Sequence, residues 1–338
     1  VFILGFEFTV DSFNKVLEDI SKNFIFYAPR RIPGKGAFSD TDVVVYQEVE
    51  GFGQIELDEK SRFSPKEVIN PITQTLFYFN ENGYTEPETN NKGIIIFCRP
   101  CDANSFKRLD EIFLNNGPFK DSYYESLRRK VKIFVIECVQ GFENCFCVSM
   151  GTNRFDDYDA FIRVAEDRIT CDVKDNLLPA FVKHGISAEM RPDFISENAV
   201  KVAIPDQVNK TIFTHEMWRE YSERCIACGR CTVVCPTCTC FTMQDIFYED
   251  NHKCGERRRV WASCMIDGFT EVAGGHDFRP DKGMRMRFKA MHKIYDFRKR
   301  FGYNMCVGCG RCDDVCPEYI SFSNCINKVS ALSREVNG

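Results

Sequence analysis

The stretch Cys225-Ile-Ala-Cys228-Gly-Arg-Cys231-Thr-Val-Val-Cys235-Pro236 decides how the second half of the chain folds. It returns as Cys306-Val-Gly-Cys309-Gly-Arg-Cys312-Asp-Asp-Val-Cys316-Pro317, with eight of twelve positions identical. Both copies read C-x2-C-x2-C-x3-C-P. Three closely spaced thiolates in a tight loop can hold three irons of one 4Fe-4S cubane. The fourth cysteine, followed by proline and facing away, completes the partner cubane. Ligation is therefore expected to cross. Cys225, Cys228, Cys231 and Cys316 hold a first cluster, and Cys306, Cys309, Cys312 and Cys235 hold a second. Gly229 and Gly310 let the backbone turn closely, leaving amides free to point at sulfur. Zinc sites usually show two separated C-x2-C pairs, so iron–sulfur is the preferred reading.

Working outward, the two runs begin 81 residues apart, so residues 242–305 must form an excursion that folds back. Of the 19 cysteines in 338 residues, six precede residue 172 and thirteen follow from Cys225. Such a cluster of thiols points to metal or redox chemistry in a reducing compartment, not to disulfides. An apolar fraction of 44% suffices for a core without staples. The net charge of -5 argues against a nucleic-acid binder. The longest apolar runs, such as 93–98, are too short to span a bilayer. Glu7 and Asp11 stand where a secretory signal would be positive, so a cytoplasmic protein is expected.

Before residue 205, short β-branched or aromatic runs predict strands at 43–46, 93–98, 132–138, 160–164 and 199–204. Helices are expected at 11–20, 65–79 and 104–114, with a weaker signal at 121–129. Breaks at Arg191-Pro-Asp193 and Pro205-Asp-Gln207 suggest a boundary. From about residue 208 the strand signals stop, and 284–300 is the longest helical pattern, with Met286, Ala290, Ile294 and Phe297 along one face. The fold class expected is α+β. A mixed α/β domain over 1–205 precedes a mainly helical, dicluster ferredoxin-like domain over 206–338.

Several further motifs appear in order. They are Arg99-Pro-Cys-Asp102, Cys138, Cys145-Phe-Cys147-Val-Ser-Met-Gly151, Cys235-Pro-Thr-Cys-Thr-Cys-Phe241, Trp261-Ala-Ser-Cys264 and Ala273-Gly-Gly-His-Asp-Phe-Arg-Pro280. With the second cysteine run they resemble the iron–sulfur component of the anaerobic sulfite reductases, whose close kin are the β subunits of cytosolic sulfhydrogenases. That resemblance implies an electron-transfer subunit. One partner would be an FAD-containing, NAD(P)H-binding subunit. The other would be a sirohaem iron–sulfur subunit that reduces sulfite to sulfide. In the sulfhydrogenase alternative the terminal partner is a nickel–iron hydrogenase. A reading of another class is an iron–sulfur sensor or scaffold that passes no electrons.

Cys138 ends an expected strand, Cys101 directly follows another, and Cys145 and Cys147 sit in a turn. Strand ends of one sheet lie close together, so these four thiols are read as ligands of a third 4Fe-4S cluster. The alternative is buried, inert thiols. Cys238, Cys240 and Cys264 are expected to pack beside the clusters; Cys238 or Cys240 replacing Cys235 as ligand, or a fourth set made from them with Cys254, are the competing readings. Cys98, Cys171 and Cys325 are expected to be structural.

His276, in a Gly-Gly turn, is expected to bond its own loop. The other histidines lack metal-like spacing. Residues 279–300 carry nine Lys/Arg against two Asp, either a solvated helix face or a cationic surface for an acidic redox partner. No G-x-G-x-x-G follows an expected strand, so nicotinamide chemistry should lie in another subunit.

Overall fold

The computed structural model describes residues 4–88, 90–174 and 177–337. In chain order its strands are β1 (Leu4–Thr9), β2 (Phe24–Ile32), β3 (Val43–Val49), β4 (Thr73–Asn80), β5 (Gly83–Thr85), β6 (Gly93–Cys98), β7 (Val131–Ile136), β8 (Ala160–Ala165), β9 (Arg168–Val173), β10 (Ile186–Glu189), β11 (Phe241–Tyr248), β12 (Asn251–Trp261), β13 (Glu271–Val272) and β14 (His276–Asp277). The fold is α+β. Two units emerge, each discontinuous in sequence. The first comprises Val1–Ile69, Asn90–Phe142 and Gly151–Asn198; the second comprises Asn70–Thr89, Glu143–Met150 and Ala199–Gly338. The last crossing is at 198/199, and the four earlier ones, at 69/70, 89/90, 142/143 and 150/151, have no counterpart in the sequence signals.

The first unit is built on an eight-stranded sheet of order β10-β1-β9-β8-β7-β6-β2-β3. Its centre, β2, β6, β7 and β8, is parallel. A parallel strand covered on both faces must be apolar throughout, which is why β6 and β7 read as unbroken hydrophobic runs. Successive residues divide between the faces. Ile95 and Phe97 of β6 meet Phe13, Val16 and Leu17 of the helix Val10–Ser21 in one core. Ile94, Ile96 and Cys98 meet Ala103, Phe106 and Leu109 of the helix Pro100–Phe113 in the other. The first of these helices starts in a capping box, Thr9 with Ser12.

Two expectations in this half need correction. The pattern at 65–79 is helical only over Lys66–Ile69; Pro71 follows, and the β-branched and aromatic run from Thr73 forms β4 instead. The run 199–204 is not a strand. Its amides find side chains in place of a ladder, Val202 donating to Ser149 Oγ at 3.0 Å and Ala203 to Asn327 Oδ1 at 2.8 Å.

The second unit is less helical than composition suggested. The excursion between the cysteine runs contains the β11–β12 hairpin, which joins β4 and β5 in a sheet of order β11-β12-β4-β5. Phe241 pairs with Trp261 at its base, and Arg257 bridges to Asp245 at 2.6 Å across it. Beyond the hairpin, a continuous helix runs through Lys282–Met291, a π turn at His292–Asp296, and Phe297–Phe301. Asp281 caps its start and left-handed Gly302 (φ 85°) its end. Met286, Ala290, Ile294 and Phe297 are buried, as the helical period requires. Among the described residues, no helix is long and apolar enough to cross a membrane.

Candidate metal centre

The two cysteine runs fold alike. In the first, Cys225 caps the helix Arg219–Arg224, and Gly229 turns left-handed (φ 73°) into the one-turn helix Arg230–Val233. In the second, Gly310 (φ 74°) leads into Arg311–Asp314. The intermediate positions match too: Ala227 (φ 56°) and Gly308 (φ 64°) are both left-handed. That conformation turns the amide of Ala227 onto Cys225 Sγ at 3.4 Å, and the amide of Gly308 onto Cys306 Sγ at 3.4 Å. Ile320 N donates to Cys316 Sγ at 3.3 Å. Amide donors aimed at thiolates favour the charged, metal-binding form of cysteine.

Each run has sulfur neighbours from the other. Cys225 lies beside Cys228, Cys231 and Cys316. All four line one cavity, of about 450 Å³ including its open mouth, together with Met265 and Lys289. Cys306 lies beside Cys235 and Cys309, and Cys312 beside Cys306 and Cys309. Burial pushes the Cys306 thiol up to about 12, with Cys235 and Cys309 adding to the rise. Burial likewise raises Cys225 and Cys312. Among the described residues no three His, Cys, Asp or Glu side chains converge as ligands of a single ion would. A cubane spreads its thiolates over four irons, one each. The donor set therefore fits two 4Fe-4S clusters.

The segment Glu143–Met150 packs on the second run. Phe146 N donates to Gly308 O at 2.8 Å, Asn144 Nδ2 to Asp314 Oδ1 at 2.8 Å, and Cys145 Sγ to Cys309 O at 3.5 Å. The four thiols expected to hold a third cluster are divided between the units. Cys101 sits in the first turn after β6 and Cys138 just beyond β7, in the first unit; buried Cys145 and Cys147 belong to the second.

The remaining cysteines separate into kinds. Cys238 donates to Cys235, which that bond, then nearby Lys293 and Thr237, hold well below the usual thiol range. Cys264 donates a hydrogen bond to Cys240. Cys254 stands apart at the far end of β12, where Asn251 Nδ2 donates to its sulfur at 3.1 Å. At about 3.3 Å per residue, seven residues of strand put it roughly 23 Å from Trp261, so a fourth set including Cys254 does not assemble. Cys98, Cys171 and Cys325 are fully buried in apolar clusters. His276 packs edge-on against Phe278, 4.9 Å between ring centres, beside left-handed Gly274 and Gly275.

The cationic stretch 279–300 is not simply a solvated face. Arg285, Lys289 and Lys293, one turn apart, are buried at 2%, 4% and 2% exposure. Arg285 pairs with Asp267. Lys293 Nζ donates to Thr237 Oγ1 at 2.8 Å. Sequence reasoning missed Lys289 and Lys293 as parts of the site. The available signal was that each immediately precedes a core position, Ala290 and Ile294, on the face that must be buried.

These features define a dicluster iron–sulfur protein, and residues 224–320 match the family model of the 4Fe-4S dicluster domain. Over 305 residues the chain is 31% identical to the sulfhydrogenase 2 subunit beta of Pyrococcus furiosus, covering 84% of this chain and 88% of that protein. The chain thus belongs to the sulfhydrogenase beta-subunit family, and it is an iron–sulfur electron-transfer subunit.

Proposed function

We propose that the chain is the relay of a sulfhydrogenase-type complex, carrying single electrons between a flavin subunit that oxidises NAD(P)H and a nickel–iron catalytic subunit. The observation that supports the relay is that sulfurs of the two runs neighbour one another, Cys225 with Cys228, Cys231 and Cys316, and Cys306 with Cys235 and Cys309, which we read as two four-cysteine ligand sets completed by Cys312 in the second. When bound, the two clusters supply one-electron transfer. The chain's residues would hold them and direct the amides of Ala227, Gly308 and Ile320 at ligand sulfurs. The 31% identity to a sulfhydrogenase beta subunit supports the nickel–iron partner. A second reading keeps the relay but ends in a sirohaem subunit that reduces sulfite; the motifs at Arg99–Asp102 and Cys235–Phe241 support it. Either complex would work in the cytoplasm, where thiols stay reduced.

The native complex, isolated through a tag on this chain, distinguishes these readings. Hydrogen-dependent dye reduction with a nickel-containing subunit is the expected result; NADH-dependent sulfite reduction with sirohaem absorption selects the second. Failure of the purified flavin subunit to reduce the clusters would leave a sensor or scaffold. Cys101, Cys138, Cys145 and Cys147 are proposed to hold a third cluster. Anaerobically prepared chain should then carry roughly 12 irons, and a firm value of about 8 removes that cluster, at four irons per cubane.

A further inference from the structure

Lys289 and Lys293 stand four residues apart on the helix that crosses the cluster region, 4% and 2% exposed. Burying an ammonium is strongly unfavourable unless an opposite charge accompanies it. Two cations at this spacing also repel. Neither lysine forms an ion pair with a carboxylate among the described residues, unlike Arg285 one turn earlier. Lys293 donates to a neutral hydroxyl, Thr237 Oγ1, and Lys289 lies 4.4 Å from the centre of the Phe322 ring. Cysteine sulfurs also stand near both ammoniums, and Lys293 hydrogen-bonds Cys238.

The two lysines face different sets. Lys289 lines the cavity formed by Cys225, Cys228, Cys231 and Cys316, and Cys312 of the other set borders the same cavity. Lys293 has Cys235, Cys238 and Cys306 as neighbours, of which Cys235 and Cys306 belong to the second set. The backbone fixes it there. Lys293 lies in the π turn, and its carbonyl accepts the amides of Met305 and Cys306 at 2.9 and 3.2 Å. π turns interrupt helices frequently at functional sites; here the turn ties the lysine to the start of the second cysteine run.

We propose that Lys289 and Lys293 set the reduction potentials of the clusters, Lys289 raising both and Lys293 raising the second alone. The proposal rests on the relay reading above and assigns the two lysines a positioning role through the thiolate ligands. A cubane with four thiolates is a net anion and becomes more negative on accepting one electron. A fixed cation in a poorly polarisable interior stabilises the reduced form more than the oxidised form. No bond is made or broken; the electron comes from an external one-electron reductant such as dithionite.

The test is an EPR-monitored redox titration of the full chain, with iron measured on each sample. Lys289→Met should make both clusters at least tenfold harder to reduce, a fall of about 59 mV for one electron. Lys293→Met should shift the second by as much and leave the first unchanged. Lys289→Arg and Lys293→Arg should keep wild-type potentials. Methionine variants with full iron and unmoved potentials overturn the proposal, as does an equal shift of both clusters in Lys293→Met. If the methionine variants lose iron while the arginine variants keep it, the charge requirement stands. Loss in both shows that the lysines only pack, and the proposal falls. Wild-type chain with no cubane signal would defeat the relay reading itself, a result separable from all of these.

Discussion

The amide of Phe146 donates to the carbonyl of Gly308 at 2.8 Å, and a Cβ on Gly308 would stand 2.6 Å from the Phe146 carbonyl carbon. Gly308 is also left-handed, at φ 64°. Two independent constraints therefore exclude a side chain where the segment carrying Cys145 and Cys147 meets the second cysteine run. At the equivalent place in the first run, Ala227 adopts the same left-handed turn. Gly308→Ala should cost about 1–2 kcal/mol for the conformation alone, with the clash in addition. It should reduce iron at the second cluster, whereas Ala227→Gly should keep full iron and stability. Iron analysis and thermal unfolding of both variants check the contrast.

Crossed ligation predicts that a cysteine of one run serves the other run's cluster. Cys316→Ser should remove the signal of the cluster held by Cys225, Cys228 and Cys231, and Cys235→Ser that of the cluster held by Cys306, Cys309 and Cys312. Each variant should lose about four irons. Cys238→Ser should lose none, because Cys238 is read as a hydrogen-bond partner of Cys235 and Lys293 and not as a ligand. EPR of the reduced variants identifies which of these two cubanes survives.

The shape of each cysteine run was legible because it is local: spacing, glycine and proline fix it within twelve residues. The burial of Lys289 and Lys293 was not. A cation's environment depends on sulfur contributed from positions more than fifty residues away, at Cys231 and Cys235. The β11–β12 hairpin was hidden for a different reason. Glu256-Arg257-Arg258-Arg259 breaks apolar alternation, and only pairing shows why it is a strand: Arg257 meets Asp245, Arg259 reaches Gln74 Oε1 at 2.7 Å, and Glu256 takes Thr75 Oγ1 at 2.6 Å. Conversely, β6 and β7 were plain from sequence because both of their faces are covered.

Glu256 gives this sheet a pH dependence. Arg258 first, and Thr75 second, hold its carboxyl below the ordinary glutamate value of 4.5. A depressed native value means that the unfolded chain binds the proton more readily. The contribution is fully present above about pH 4.5 and is lost as pH falls through the lowered value. Glu256→Gln should therefore be less stable than wild type at neutral pH, with the difference closing in acid. Thermal unfolding of the two proteins across pH 7 to 3 measures it; a gap that widens in acid contradicts the assignment.

The cysteines outside the two sets should behave unequally when removed. Cys254 lies partly exposed at the turn end of β12, where Asn251 Nδ2 donates to its sulfur. Cys254→Ser should leave iron content unchanged and stability within about 0.5 kcal/mol, as for most surface substitutions. Cys264 is 5% exposed and bonds Cys240 inside the unit's core. Cys264→Ala leaves a small cavity and removes the hydrogen bond to Cys240, so a loss of about 1 kcal/mol is expected. If Cys264 only packs, iron per chain and cubane EPR should survive that loss of stability. Iron falling in step with stability in Cys264→Ala, but not in an equally destabilised core variant such as Ile326→Ala, would make Cys264 a ligand.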